Sequence, residues 1–497
     1  MFVRGMLALR WLIVGLCCAV PIGWALALLI MEPATLCEAW PTGGRGEVLL
    51  RTLGVNGTAA LIAVGIATLV FPTMHRRVGI VAAAVALAMP GLAWAYAGAE
   101  FLRWVGPFAP QSWPDVARGI VSLGLWLWPV PAVLMSVAHA RTDRAVLDAA
   151  ALDGGRWRVS ARLLLPAAIA GGAAAFALAT GTFAVWDASG IRVTSTVVRT
   201  VFDTGTFVEG VAVGQSSGNA RAASAIATLL PTVLATLIAA GLAVLWGRVT
   251  STEVTEPEPG RGRWRWPIVV GLALFPVTVL MCNLPTLVFD PRPYLAALFH
   301  GVGVAVVVGL VSACLGVTAL VSRGTGALVL AVGAFLLGGQ WLAIAWIRLL
   351  NQPIPGPLLA LTDWIYGGDA VVVLAHSGRF AWIGLAAAWL AWTPGMRALQ
   401  AQAGVDGATP WQTLRHVTLP LHATTLIAAA AGAAALSLGE IQATVLLVPD
   451  TLPPRMATWL HIADDRAMTE ASVVLAVSVG MLALIAGGIH SLPRRRT

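Results

Sequence analysis

Few residues in this chain have the chemistry for a reactive site, and the two best placed are acids. Glu440 stands inside the apolar run ALSLGEIQATVLL. A charge there costs roughly 2.5–3.5 kcal/mol or more, so it is a candidate for function, with a hydrogen bond between helices as the plain alternative. Asp187, after Trp186, is expected at the corresponding place in the first half of the chain. Together they suggest a cation-tolerant path. Asp464-Asp465 is the next nearest cluster and lacks partners in sequence. The eight histidines are scattered without an HExxH, and the five cysteines form no CxxC. No metal site and no disulfide framework is expected. The chain contains no lysine. A GxxxxGK[ST] phosphate-binding loop is therefore excluded, and any ATP that drives this protein is hydrolysed by another polypeptide. No catalytic residue and no cofactor is expected; the chain does not read as an enzyme.

The elements that position these residues are membrane spans. Charged residues make up 11% of the chain and hydrophobic ones 58%, against about 25% charged in an average soluble protein. Runs of about 20 apolar residues predict twelve spans. Six lie at Leu7–Met31, 52–71, 78–98, 119–139, 164–186 and 222–246. The first is too long for a signal-peptide core and reads as a retained helix. A linker rich in Glu, Pro, Gly and Arg follows at Arg248–Arg265. Six more spans are expected at 266–288, 294–321, 325–347, 378–395, 421–447 and 470–490. More than half of the arginines fall at the N-terminus, His75–Val78, Ala140–Leu163, the linker, Arg323, Pro394–Pro420 and the tail. By the positive-inside rule these segments and both termini are cytoplasmic. This accounts for the net charge of +8 without a nucleic-acid partner. Many of the tryptophans lie near predicted span ends, as interfacial belts in contact with lipid do. The outer segments Ala99–Asp115, Ala188–Arg221, Leu349–Arg379 and Pro449–Glu470 are long enough to meet a soluble partner.

Two of the cytoplasmic segments match each other. Leu147–Pro166 reads LDAAALDGGRWRVSARLLLP and Gln400–Pro420 reads QAQAGVDGATPWQTLRHVTLP. Trp157 and Trp411 each precede their proline by nine residues, and Asp153-Gly154 and Asp406-Gly407 lie just before. Each segment falls between the fourth and fifth of six spans. The pattern predicts an internal duplication: a first half at 1–247, the linker at 248–265 and a second half at 266–497, both in the same orientation. The fold class is all-α integral membrane, about twelve helices in two pseudo-symmetric six-helix halves. Alanines favour helix in each segment, Gly breaks it, and Leu-Pro is expected to start the next span. The product is a helix–turn–helix knob at the membrane surface, suited to a groove on a cytoplasmic partner. A membrane-surface helix that binds nothing is the plain alternative.

The knobs resemble the EAA loop of binding-protein-dependent ABC importer permeases: Glu-Ala-Ala, three residues, Gly, nine residues, a hydrophobic residue, one residue, Leu-Pro. The second copy is in register at Ala403, Gly407, Val417, Leu419 and Pro420; the first fits at Ala149, Ala150, Gly154, Leu165 and Pro166, one residue short after the glycine. The leading acid departs in both, as Asp148 and Ala401. A single chain with two such loops is similar to the fused permeases of ferric-iron and thiamine importers. Leu438-Gly439-Glu440 with Ala443-Thr444-Val445-Leu446-Leu447 is similar to a stretch of that group, and Asp187–Phe202 resembles it loosely. The resemblance implies a type I importer fold in a bacterial inner membrane. It implies an ATPase dimer docked on Asp148, Ala149, Ala150, Asp153, Gly154 and Pro166 and on Ala403, Asp406, Gly407 and Pro420. It also implies an extracytoplasmic substrate-binding protein as the second partner. The rival classes are a twelve-span transporter driven by an ion gradient and a membrane enzyme acting on lipid-linked substrates. Neither gives a reason for the paired loops.

Overall fold

The computed structural model describes residues 2–40, 43–74, 77–105, 114–140, 144–204, 218–247, 265–282, 290–322, 324–352, 356–392, 394–462 and 464–490. Among them every regular element is helical and no strand occurs. The protein is an all-α, multi-pass membrane protein. The predicted linker, except Arg265, lies outside the described residues, as do Arg323 and the arginines of the tail.

Among the described residues nine helices are long and apolar enough to cross a membrane. They are Phe2–Met31, Gly44–Thr73, Asp115–His139, Arg158–Thr180, Gly218–Ile238, Arg292–Val321, Ala370–Trp389, Pro410–Leu438 and Arg466–Ile485. Two further predicted spans are broken. Gly79–Leu87 meets Gly91–Trp104 at 93°, and Thr325–Leu337 meets Gly339–Leu350 at 95°. Each is the third span of its predicted half. In the first the break holds Pro90, which has no N–H to give a helix; in the second it holds Gly338, at φ 90° and ψ 158°, a region essentially restricted to glycine. Counting each broken pair once gives up to eleven spans. The remaining predicted span appears as the shorter apolar helix Trp266–Cys282.

The described chain forms two compact units. One comprises Met1–Leu36, Phe202–Ile226 and Asp290–Thr497; the other comprises Cys37–Val201 and Ala227–Phe289. These units divide the chain differently from the two sequence halves. The N-terminal helix packs with most of the second half, and Trp266–Cys282 with most of the first.

In the first unit the N-terminal helix supplies Val14, Cys17 and Cys18 to a core with Leu315, Ala331, Leu342 and Leu385. Arg10 fixes its lower end by donating to the Ser322 carbonyl at 2.7 Å and to the Ser322 hydroxyl at 2.8 Å. The helix Arg292–Val321 packs on Trp382–Ala391 through small residues. A Cβ on Gly384 would lie 1.8 Å from the Ser312 carbonyl oxygen, and the Gly384 N–H donates to Ser312 Oγ at 2.9 Å. Such close backbone approach is how membrane helices gain packing contacts. Gly384→Ala is expected to force these helices apart and lower the thermal midpoint of the detergent-solubilised protein. An unchanged midpoint would contradict the contact.

In the second unit Gly44–Val70 packs on Pro114–Leu127, Pro129–Ala140 and Arg156–Thr180. Buried polar groups of Gly44–Val70 meet partners on the short helices that follow Arg156–Thr180: Trp186 Nε1 donates to Asn56 Oδ1 at 3.0 Å, and the hydroxyls of Thr52 and Thr194 lie 3.1 Å apart. Trp266–Cys282 lies along Gly91–Val105, with the Trp94 and Phe275 rings stacked at 6.2 Å.

Candidate coupling loops and a buried ion pair

The two matched segments have the same backbone ending. In the first, the helix Arg144–Leu152 closes with Asp153 N–H on Ala149 O at 3.3 Å, Gly154 N–H on Ala151 O at 3.2 Å and Gly155 N–H on Ala150 O at 2.8 Å. In the second, Pro394–Val405 closes with Asp406 N–H on Gln402 O at 2.9 Å, Gly407 N–H on Gly404 O at 3.1 Å and Ala408 N–H on Ala403 O at 2.9 Å. Every donor and acceptor of one copy has its counterpart in the other. This is a Schellman-type termination, and its glycine must be left-handed. Gly154 has φ +66° and Gly407 φ +80°.

The copies diverge after the glycine. The second uses its extra residue to reach Thr409, whose hydroxyl accepts from Gln412 N–H at 3.3 Å while the Gln412 side chain accepts from Thr409 N–H at 2.7 Å. That capping box starts the next helix. The first copy has Gly155 at the cap and no side-chain cap. The prolines do not start the spans, contrary to the expectation from Leu-Pro. Pro166 lies inside the continuous helix Arg156–Thr180. Pro420 follows a π-helical turn, Leu414–Thr418, within a helix that already runs from Pro410. The Leu419 N–H bonds Leu414 O, five residues back. The wider turn absorbs the register change next to a residue that donates nothing.

Asp148, Ala149, Asp153 and Asp406 are exposed, Ala150 and Ala403 are half-buried, Pro166 is buried and Pro420 exposed. One feature of the loops is absent from the sequence reading. Leu152 and Val405, each two residues before the turn glycine, are 90% and 87% exposed. Each loop thus carries a bare aliphatic side chain at its apex.

Glu440 is buried and lies just past the end of the helix Leu419–Leu438. Its Oε1 accepts from Arg379 Nη1 at 2.7 Å, from Gln442 N–H at 2.8 Å and from Ala443 N–H at 3.2 Å. Arg379 Nη1 also donates to Gln442 Oε1, which takes the Gly339 N–H at 3.3 Å. The cluster therefore joins three chain breaks: the bend at Gly338, the end of Ala370–Phe380 and the end of Leu419–Leu438. His376, one turn from Arg379, meets Ser437 Oγ through Nδ1 at 2.8 Å. Arg379 stands at the shared edge of the outer segment Leu349–Arg379 and the span expected at 378–395; it lies well inside the span Ala370–Trp389 and is 6% exposed. The span begins earlier than its hydropathy suggests because His376 Nδ1 and Arg379 Nη1 find partners in Ser437 and Glu440. An arginine close to an apolar stretch that lacks a compensating acid was the signal available in the sequence.

Asp187 does not occupy the place of Glu440. Gly181 and Gly439 cap their helices alike, through Ala177 O and Ala435 O respectively. The residue after Gly181 is Thr182, which is buried. Asp187 is half-buried in the short helix Ala184–Ala188. Asp464 caps the last helix by accepting from Ala467 N–H at 3.0 Å. Among the described residues no group of His, Cys, Asp and Glu is arranged to hold a metal ion.

The chain is similar over 81 residues to a 2-aminoethylphosphonate transport system permease protein, PhnV. The identity is 40% to that of Salmonella paratyphi A and 38% to those of Salmonella typhi and Salmonella typhimurium. The matched stretch is 15% of this chain and 31% of each relative, so the chain spans about a third of the length of the curated relatives it matches. No protein-family profile matches the chain. No solved structure matches it.

Proposed function

We propose that this protein is the permease subunit of a binding-protein-dependent ABC importer, with two permease halves fused in one chain. The observation that carries this reading is the pair of loops with one hydrogen-bonding pattern, each ending in an exposed aliphatic residue. The similarity to transport permeases supports it. An ATPase dimer docks on the loops from the cytoplasm of a bacterium. A substrate-binding protein delivers cargo at the other face of the inner membrane. Closure of the ATPase dimer draws the loops together and turns the path outward, and hydrolysis resets it. The permease itself performs no bond chemistry. Its cargo is a small solute. Ferric iron rests on the resemblance around Glu440, and a phosphonate on the relatives' transport system. Glu440 and Asp187 are the candidates for the path; uptake at the wild-type rate in a Glu440→Gln, Asp187→Asn double variant would remove them from it.

The test is co-purification of the partner ATPase. Leu152→Asp and Val405→Asp place a charge on the apex without touching the fold, and loss of the ATPase from either well-folded variant is expected. If wild type itself binds no ATPase, and uptake survives ATP depletion but collapses with the ion gradient, the protein is a secondary transporter instead.

A further inference from the structure

In the unit that contains Asp290–Thr497, two arginines gather at the stretch Gly218–Arg221, and no ion pair among the described residues holds either. Arg348 ends the helix Gly339–Leu350, and its guanidinium lies against the backbone of Gly218: a Cβ there would be 2.2 Å from Nη1. Its Cζ stands 5.4 Å over the Phe202 ring. Arg221 is three residues on from Gly218 and so on the same face of the helix Gly218–Gly247. Its Nη1 donates to the Asp203 carbonyl at 3.4 Å. The two helices are tied beside the pair by Gln352 Nε2 donating to Asn219 Oδ1 at 3.1 Å. Both arginines are half-buried. Each has a buried Nε with no hydrogen-bond partner. Among the described residues neither takes part in an ion pair. Arg379, Arg455 and Arg466 of the same unit are each paired with a carboxylate.

Two like charges beside one another, each half-buried and without a carboxylate partner, favour an anion between them. The first-turn N–H groups of the helix beginning at Gly218 add positive character of the same sign. Guanidinium forks suit an oxyanion with two or more acceptor oxygens. The pair also has a defined place. Pro410–Leu438 leads away from the second loop and Ala370–Trp389 returns toward it. Ala370 therefore lies at the end of its span opposite that loop, and Arg348 ends the helix that precedes Gly356–Gly367 and Ala370–Phe380.

We propose that Arg348 and Arg221 form a binding site for the tetrahedral oxyanion group of the transported solute, of the phosphate or phosphonate class, at the face where cargo enters. The role as cargo site rests on the importer reading; the binding itself does not. An anionic lipid headgroup presents the same chemistry, so the experiment separates the two sources. The purified full-length protein is placed in nanodiscs of phosphatidylcholine alone and titrated calorimetrically with methylphosphonate, inorganic phosphate and acetate. Methylphosphonate or phosphate is expected to bind. Arg348→Gln and Arg221→Gln are each expected to weaken binding at least tenfold. Gly218→Ala, which alters no charge but displaces the Arg348 head, is expected to weaken it at least threefold. Arg455→Gln serves as the control and leaves it unchanged. The Arg221 variant keeps the test readable if Arg348→Gln fails to fold. No binding to wild type, equal binding to the variants, or protection by phosphatidylglycerol nanodiscs without binding of the free anion would each overturn the proposal. The titration needs no ATPase, so its outcome is independent of whether one docks.

Discussion

Gly407→Val is expected to strip the partner ATPase from the purified protein and reduce ATP-driven uptake to background, and Gly154→Val to do nearly the same. Space is not the reason, since a Cβ at either position meets nothing within 4 Å. The backbone is. At φ +80° and +66° an ordinary residue costs about 1–2 kcal/mol, and a β-branched one more. The turn then gives up the bonds from Gly155 to Ala150 and from Ala408 to Ala403, and the apex residues Leu152 and Val405 lose their fixed direction. The series at each site is expected to run Asn, Ala, Val in order of increasing loss, because asparagine tolerates the left-handed region best. A charge-based or purely steric dock would give another order. Uptake and pull-down of the ATPase with each variant, normalised to inserted protein, measure it. Equal retention across the series would sink the assignment.

Arg379→Met is expected to destabilise the protein more than any loop change. It leaves the Glu440 carboxylate buried with only backbone N–H groups of Gln442 and Ala443 for company. Removing one partner of a buried pair costs about 3–5 kcal/mol, whereas replacing both with apolar residues is often near neutral. The double variant Arg379→Met, Glu440→Met is therefore expected to recover most of the lost thermal stability. Tryptophan fluorescence during heating follows this directly. If recovered stability came without recovered uptake, the cluster would be needed for movement at the three chain breaks it joins. A double variant as unstable as the single one would mean that the ion pair is not what holds them.

The spans and the paired loops were legible because both rest on local rules. Apolar length marks a span, and a left-handed glycine after an alanine-rich turn marks a helix end. The Asp-Gly steps at 153–154 and 406–407 were sufficient to place the knobs. What escaped was tertiary. Arg379 looked like loop sequence because its charge is met only by Glu440, 61 positions away. Asp187 follows an aromatic residue in an apolar stretch as an acid of the first half, but the helix-ending glycines set Thr182 at the place of Glu440. The prolines at 166 and 420 were given the start of a helix whose actual start depends on a cap, Gly155 or Thr409. The 90° breaks in the third spans depend on what packs against each limb, which periodicity does not carry.

The N-terminal helix carries an implication for synthesis. Phe2–Met31 is made long before its partners, for Arg10 waits for Ser322 and Cys18 for Gly378, contacts 312 and 360 residues distant along the chain. Trp266–Cys282 closes the other unit only after more than half the chain is made. The unit that holds the first helix is completed only by the second half of the chain, and the other unit is not completed by the first half alone. The first helix must therefore lodge in the bilayer alone, and a lesion near its start, such as Arg10→Ala, would show itself as misassembly of residues beyond 290.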